Sequence, residues 1–449
     1  MTYDLAIIGA GPAGYVAAER AGHAGLSVVL FDKKQLGGVC LNEGCIPTKT
    51  LLYSAKLYEQ AKSGDKYGII CADVSFDFSK ISDRKEKIIR KLVGGISMKM
   101  KKNKVEVINA EAIIKEKTKE GIAIAAEGNF FECKNLLICT GSEAAIPSIK
   151  GLDKKNILTN REILQLKEIP ESLNIIGGGV IGIEFANFFS AMGCRVSVFE
   201  MMDEILPGID KDISKILREE LTKKGTTFYL NAKVVEVNNT TVVFEKENKT
   251  EKVEAAQLLV SVGRKPNVEG IGLENIGVEF SNKGIKIDKN CRTNIYNVYA
   301  AGDVTGRSLL AHTASRAGEV VVNNLIGVKD EMRYDAIPSV VYTNPEVSCV
   351  GLTEEEAKKN NIAVKIFKLP MSYAGRFAIE NEGRNGLCKI IAGEKYQEIL
   401  GVHFIGNPSS EMIYGASMAI EMQMRVKDIK EIVFPHPTVS EIFKETLFA

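Results

Sequence analysis

The octet Ile7-Ile8-Gly9-Ala10-Gly11-Pro12-Ala13-Gly14 returns 168 residues later as Ile175-Ile176-Gly177-Gly178-Gly179-Val180-Ile181-Gly182. The match runs on through Gly25/Gly193, Val28/Val196 and Phe31/Phe199, and each copy then reaches an acid, Asp32 or Glu200, 23 residues after its first glycine. An apolar strand, a glycine turn, a helix and an acid closing the second strand make up the βαβ unit that binds a dinucleotide. Its glycines let the backbone approach a pyrophosphate, whose charge then lies at a helix N-terminus. A lone glycine triplet fits any tight turn, but here strand, helix and acid accompany it twice. Gly9, Gly11, Gly14 and Asp32 are therefore expected to hold one dinucleotide, and Gly177, Gly179, Gly182 and Glu200 a second. The expected fold class is α/β, with two Rossmann-like dinucleotide-binding domains.

The two sites need not take the same nucleotide. Glu200 would accept hydrogen bonds from a ribose 2′-hydroxyl and repel a 2′-phosphate, and Met201-Met202-Asp203 offers no arginine to bind one. The second site should prefer NAD to NADP. The first copy is followed by Gly37-Gly38-Val39-Cys40-Leu41-Asn42-Glu43-Gly44-Cys45-Ile46-Pro47. Two cysteines so close read as a reversible disulfide; two buried structural thiols are the bland alternative. On a regular helix they would point roughly 140° apart and lie too far from each other to bond, so the segment must be irregular. Gly44 and Pro47 supply that irregularity and leave Cys45 near a helix N-terminus, where a thiolate is stabilised. Flavin is the natural cofactor beside such a pair, because it exchanges a hydride on one side and electrons with a thiolate on the other.

At 449 residues the chain exceeds one core. Its 58 basic and 57 acidic residues nearly cancel, which leaves no surplus for nucleic acid or a membrane surface. Neither a signal peptide nor an apolar run of membrane-spanning length is evident, so a cytoplasmic protein is expected. Nine scattered cysteines do not make a disulfide framework. Helices are expected near 46–62, 77–102 and 210–223. Two buried strands end in turns, one at Thr140-Gly141-Ser142 and the other at Gly263-Arg264-Lys265-Pro266-Asn267, and the pattern changes at Tyr334. The expected division is 1–146, 147–266, 267–333 and 334–449.

Further segments carry a likeness: Thr48-Lys49, Gly177 through Glu184, Val262 through Asn267, Tyr299 through Val304, Leu310-Ala311-His312, Ile337 through Glu346, and His436 through Glu441. With the cysteine segment, they make the sequence resemble the FAD-dependent pyridine nucleotide-disulfide oxidoreductases along its whole length, and most of all the members that oxidise dihydrolipoamide. The resemblance implies that 1–146 and 267–333 bind FAD, that 147–266 bind NAD, and that 334–449 form an α+β interface domain. Cys40 would exchange with substrate sulfur and Cys45 face the flavin. Lys49 would reach the flavin and pair with Glu184 on the nicotinamide side. Asp303, Ala311, Ala112, Thr140, Gly141 and Ser142 would contact FAD, and Gly263 and Arg264 would contact NAD. His436, held by Glu441, would be the base and would serve the disulfide of the opposite subunit in a homodimer. The dithiol would arrive on a lipoyl-bearing acyltransferase or carrier protein of a multienzyme complex, and no metal is implied.

Rival readings leave marks that can be sought. An NADPH-dependent reductase of glutathione or a similar disulfide needs basic residues where Glu200-Met201-Met202-Asp203 stands, and a mercuric reductase needs a cysteine pair near the C-terminus. A non-catalytic FAD-bearing scaffold subunit would be expected to lose the cysteines or the base. Phe434 departs from the pattern, since relatives often carry a second histidine there. Thr438 through Glu441 also reads as a capping box opening the last helix, Asp303 as an N-cap, and His312 and His403 as structural. A cis bond is expected at His436-Pro437.

Overall fold

The computed structural model describes residues 2–153 and 157–449. They form two units, one of residues 2–50, Ser82–Ala145 and Gly263–Arg333, the other of Leu51–Ile81, Ile146–Val262 and Tyr334–Ala449.

In the first unit, parallel strands lie in the order Glu106–Ile108, Val28–Phe31, Thr2–Ile8, Asn129–Ile138. Val28–Phe31 is buried along its whole length, as expected of a parallel strand covered on both faces. Asn129–Ile138 serves two neighbours on its far edge. Its first half pairs antiparallel with Ile122–Ala126, and its last residues pair parallel with Val298–Ala300. A segment distant in sequence thereby ends at the same carboxyl edge as the first strand. Helix Ala311–Leu325 approaches helix Pro12–His23 so closely that a Cβ on Gly318 would come within 2.5 Å of the Ala13 carbonyl oxygen.

In the second unit, strands Thr227–Tyr229, Arg195–Phe199, Ser172–Ile176 and Gln257–Val260 repeat that parallel order. The register repeats as well: Ile8 faces Phe31 in one sheet and Ile176 faces Phe199 in the other. Strands Lys233–Asn238, Thr241–Lys246 and Lys249–Val253 form an antiparallel meander, and Phe244 joins Phe199 and Tyr229, whose rings stack at 4.9 Å. The C-terminal part is a five-stranded antiparallel sheet ordered Ser339–Val341, Val347–Gly351, Ile399–Ile405, Leu387–Gly393, Val364–Pro370. Its fully buried Lys389 contacts Asp210 at 2.7 Å, Glu354 at 2.7 Å and Asp212 at 2.9 Å. Asp210 caps helix Lys211–Lys223, so the buried charges tie this sheet to the helix that follows strand Arg195–Phe199. A buried cation persists only with such partners.

The fold class is therefore the expected one, two Rossmann-like sheets and a C-terminal α+β part. Among the described residues, no helix is long and apolar enough to cross a membrane.

Candidate active site

Both glycine loops are built by the same close approaches. Gly9 has φ +104°, and a Cβ there would lie 2.2 Å from the Cys139 carbonyl oxygen; Gly177 has φ +106°, with Ser261 O at 2.5 Å. A Cβ on Gly14 would meet Gly9 O at 1.9 Å, and one on Gly182 would meet Gly177 O at 2.2 Å. Gly11 and Gly179 are the N-caps of helices Pro12–His23 and Val180–Ala191, and neither helix has a side-chain cap. The first N–H groups of each helix are thus left to an anion.

The acids match position for position. Asp32 accepts from the backbone N–H of Ala10 at 2.7 Å and of Lys34 at 2.8 Å. Glu200 accepts from Gly178 at 2.7 Å and Met202 at 2.9 Å. Each carboxylate is fixed at the carboxyl end of its second strand, where the ribose of a dinucleotide is met. The residues present fit a dinucleotide in both units.

The chain then turns at Gly37-Gly38, and a Cβ on Gly38 would fall 2.6 Å from the Cα of Gly11. This contact lays helix Gly38–Glu43 on the first glycine loop. Gly44 (φ −149°, ψ −107°) interrupts the helix, and a new one, Cys45–Lys62, begins. With that break the Cα atoms of Cys40 and Cys45 stand 4.7 Å apart and their sulfurs are bonded. The expected irregularity falls at Gly44, with Pro47 inside the first turn of the new helix. Cys45 opens that helix and Lys49 follows one turn later. Asn42 braces the segment by donating to the carbonyls of Leu36 at 3.0 Å and Gly38 at 2.9 Å. Of the seven free cysteines only Cys71 is exposed. Burial pushes the thiols of Cys133, Cys194, Cys291, Cys349 and Cys388 up to about 12, so they stay protonated and inert at neutral pH.

Beside the first loop, Ser142 donates to Asp303 at 2.5 Å, and Thr140 and Asn267 exchange hydrogen bonds at 2.7 and 2.9 Å. Asp303 opens a short turn after Val298–Ala300 rather than capping an α-helix, and Ala311 opens the helix that follows. Ala112 is buried next to strand Ile113–Lys117. Asn267 joins the site without having been expected there, although the repeated strand-then-glycine ending contains it. Gly263 and Arg264 fall in the first unit, together with Asp32, Ser142 and Asp303, and Arg264 donates to Ser142.

Glu184 lies in the second unit and is 3% exposed on a helix buried nearly all round. Its Oε1 accepts from the backbone N–H of Tyr342 at 3.0 Å, which no sequence signal announced.

His436 Nδ1 is 2.9 Å from Glu441 Oε1, and the imidazole is 80% exposed. The Thr438 N–H, at 2.8 Å from the other oxygen, and then His436 hold the Glu441 carboxyl below its usual range. Glu441 therefore stays anionic and fixes the tautomer with Nδ1 protonated, which leaves Nε2 as the proton acceptor. The His436-Pro437 bond is cis. The capping box is only half made: Glu441 reaches back to Thr438, but the Thr438 hydroxyl donates to the Pro435 carbonyl at 2.9 Å instead of accepting from the helix. Local turn geometry outcompetes the cap. Phe434 packs on the core of the C-terminal sheet. His403 is buried with Nε2 2.8 Å from Leu352 O, and burial lowers its pKa, in keeping with a structural role.

Residues 3–318 match the pyridine nucleotide-disulphide oxidoreductase family, and 337–447 match its dimerisation domain. A dihydrolipoyl dehydrogenase of Bacillus subtilis (strain 168) is 38% identical over 463 aligned positions, covering 100% of this chain and 98% of that protein. One of Geobacillus stearothermophilus is also 38% identical, covering 98% and 95%. Among solved structures, LpdA from Mycobacterium tuberculosis superimposes with a TM-score of 0.90 at 25% identity, covering 100% of this chain and 99% of that one. The HOCl-induced flavoprotein disulfide reductase RclA from Escherichia coli gives 0.86 at 28%, covering 99% of each.

Proposed function

The chain belongs to the pyridine nucleotide-disulphide oxidoreductase family, and on that premise we propose that it oxidises dihydrolipoyl groups to lipoyl groups while reducing NAD+ to NADH. The observation that carries this is the Cys40–Cys45 disulfide laid by Gly38 directly on the first glycine loop. FAD held at the first glycine loop would supply the chemistry between the two, exchange of an electron pair with a thiolate and of a hydride with nicotinamide.

The chain's own residues do the rest. His436, oriented by Glu441, takes a proton from the substrate dithiol. The thiolate attacks Cys40 Sγ, the Cys40–Cys45 bond breaks, and Cys45 leaves as a thiolate at the head of its helix. The second substrate thiol then displaces Cys40, which closes the lipoyl disulfide and leaves the cysteine pair reduced by two electrons. Gly9, Gly11, Gly14, Asp32, Lys49, Ala112, Thr140, Gly141, Ser142, Asp303 and Ala311 serve the flavin. Gly177, Gly179, Gly182, Glu184 and Glu200 serve NAD, and Glu200 selects it over NADP. Residues 1–146 with 267–333 act as the flavin domain, 147–266 as the nicotinamide domain, and 334–449 as the interface of a cytoplasmic homodimer, with His436 serving the partner's disulfide. The dithiol arrives on a separate lipoyl-bearing protein.

The test is NADH formation by the flavin-loaded protein from dihydrolipoamide and NAD+. A yellow protein that makes no NADH from this pair, yet reduces another disulfide with NADPH, would replace this reading with the glutathione-reductase type.

A further inference from the structure

We propose that Arg264 is a positioning residue of the flavin site, holding Asp303 through Ser142, and that it is not a ligand of the nicotinamide nucleotide. This rests on the flavoenzyme reading above and adds a role within it. Arg264–Pro266 and Ser142–Ala144 form a two-stranded antiparallel ribbon with Arg264 opposite Ala144 and Pro266 opposite Ser142. From that ribbon the guanidinium grips one residue twice, with Nε to Ser142 Oγ at 2.7 Å and Nη2 to Ser142 O at 2.6 Å. Ser142 is 2% exposed, and its hydroxyl hydrogen goes to Asp303 Oδ2 at 2.5 Å. Arg264 Nε itself stands 3.8 Å from the same oxygen, with the guanidinium side chain 11% exposed.

A serine hydroxyl that accepts from a cation and donates to a carboxylate is polarised in one direction. The relay therefore fixes Oδ2 of Asp303, while Oδ1 has no hydrogen bond among the described residues and is left to accept from a ligand hydroxyl. The place is on the flavin side. Ala301 N–H bonds Ile138 O at 3.0 Å, and a Cβ on Gly302 would come within 3.6 Å of the Ala13 Cβ in the first loop's helix. The fork suits arginine, since a lysine head cannot span both Ser142 oxygens in one plane.

The experiment follows FAD release from the holoenzyme by recovery of flavin fluorescence, alongside the KM for NADH. Arg264→Gln and Ser142→Ala should each release FAD about tenfold faster, as expected for loss of a buried charge-assisted hydrogen bond. Arg264→Lys should fall between Arg264→Gln and wild type, and Ser142→Thr, which keeps a hydroxyl, should release flavin more slowly than Ser142→Ala. In an Asp303→Asn background Arg264→Gln should add little, because the two act through one another. KM for NADH should not move. A raised KM with unchanged FAD release, or additive effects in the double variant, overturns the proposal and leaves the flavoenzyme reading standing. A wild-type protein that binds no flavin overturns both.

Discussion

The two glycine loops share a backbone and differ in what is built against them. Both turn at a glycine with φ near +105° and pack its α-carbon on the carbonyl that ends a neighbouring strand. In both, the closing acid is held by the N–H of the loop's second residue and by the N–H two residues beyond the acid. Beyond that shared frame, the first loop carries Gly38 and the disulfide helix against Gly11, whereas a Cβ on Gly179 would meet nothing within 4 Å. On the proposed function, each loop holds a pyrophosphate and the segment built against it decides the chemistry: sulfur beside the first, and open space at Gly179 in the second.

Damaging each loop in the same way shows whether the two work separately. Gly14→Ala places a methyl 1.9 Å from Gly9 O, and Gly182→Ala places one 2.2 Å from Gly177 O. Such overlap costs about 3 kcal/mol or more, a loss on the order of a hundredfold in nucleotide affinity. The first variant should purify without flavin. The second should keep its flavin and its bleaching by dihydrolipoamide but lose reduction by NADH. Flavin loss in both would mean that the loops are not functionally separate.

His436 lies outside both loops. His436→Gln removes the proposed proton acceptor of the thiol half-reaction and should lower dihydrolipoamide oxidation by about 10²- to 10⁴-fold. Dye reduction by NADH, which needs both loops but no thiol base, should survive. Loss of both activities would assign His436 a structural role.

The closing acids are proposed to set which nucleotide each loop accepts. Glu200 is fixed by two N–H groups and offers a 2′-phosphate only repulsion, so NADPH should reduce the flavin far more slowly than NADH at equal concentration. Glu200→Ala should narrow that gap by about tenfold, the worth of roughly one charged hydrogen bond. Equal rates with the wild-type protein would refute the selection.

What was legible in the sequence follows from the same physics. Repeated glycines, the following helix and the acid all express local backbone constraints at fixed spacing, so both βαβ units could be read residue by residue. The break at Gly44 was legible because two cysteines five apart cannot bond along a regular helix. Contacts closed by distant segments left no such spacing. Arg264 reaches Ser142 across 122 residues, and Tyr342 reaches Glu184 across 158. The capping box at Thr438 had the right letters, yet its hydroxyl found a nearer carbonyl at Pro435.

The smallest expected effect explains why the loops differ at their second residue, Ala10 in one and Gly178 in the other. A Cβ on Gly178 would lie 3.1 Å from Glu200 Oε2 and 3.2 Å from its Cβ, because the longer acid folds back over the loop. Asp32 is one methylene shorter, and Ala10 is accommodated beside it. Gly178→Ala should push Glu200 by a few tenths of an ångström and raise the KM for NADH about threefold, from a cost of roughly 0.6 kcal/mol. Ala10→Gly should leave FAD release nearly unchanged and lower the melting temperature slightly, since glycine costs about 0.5–1 kcal/mol in backbone entropy. If instead Gly178→Ala left the KM untouched while Gly178→Ala/Glu200→Asp raised it, the length of the acid would not be what sets the residue at this position.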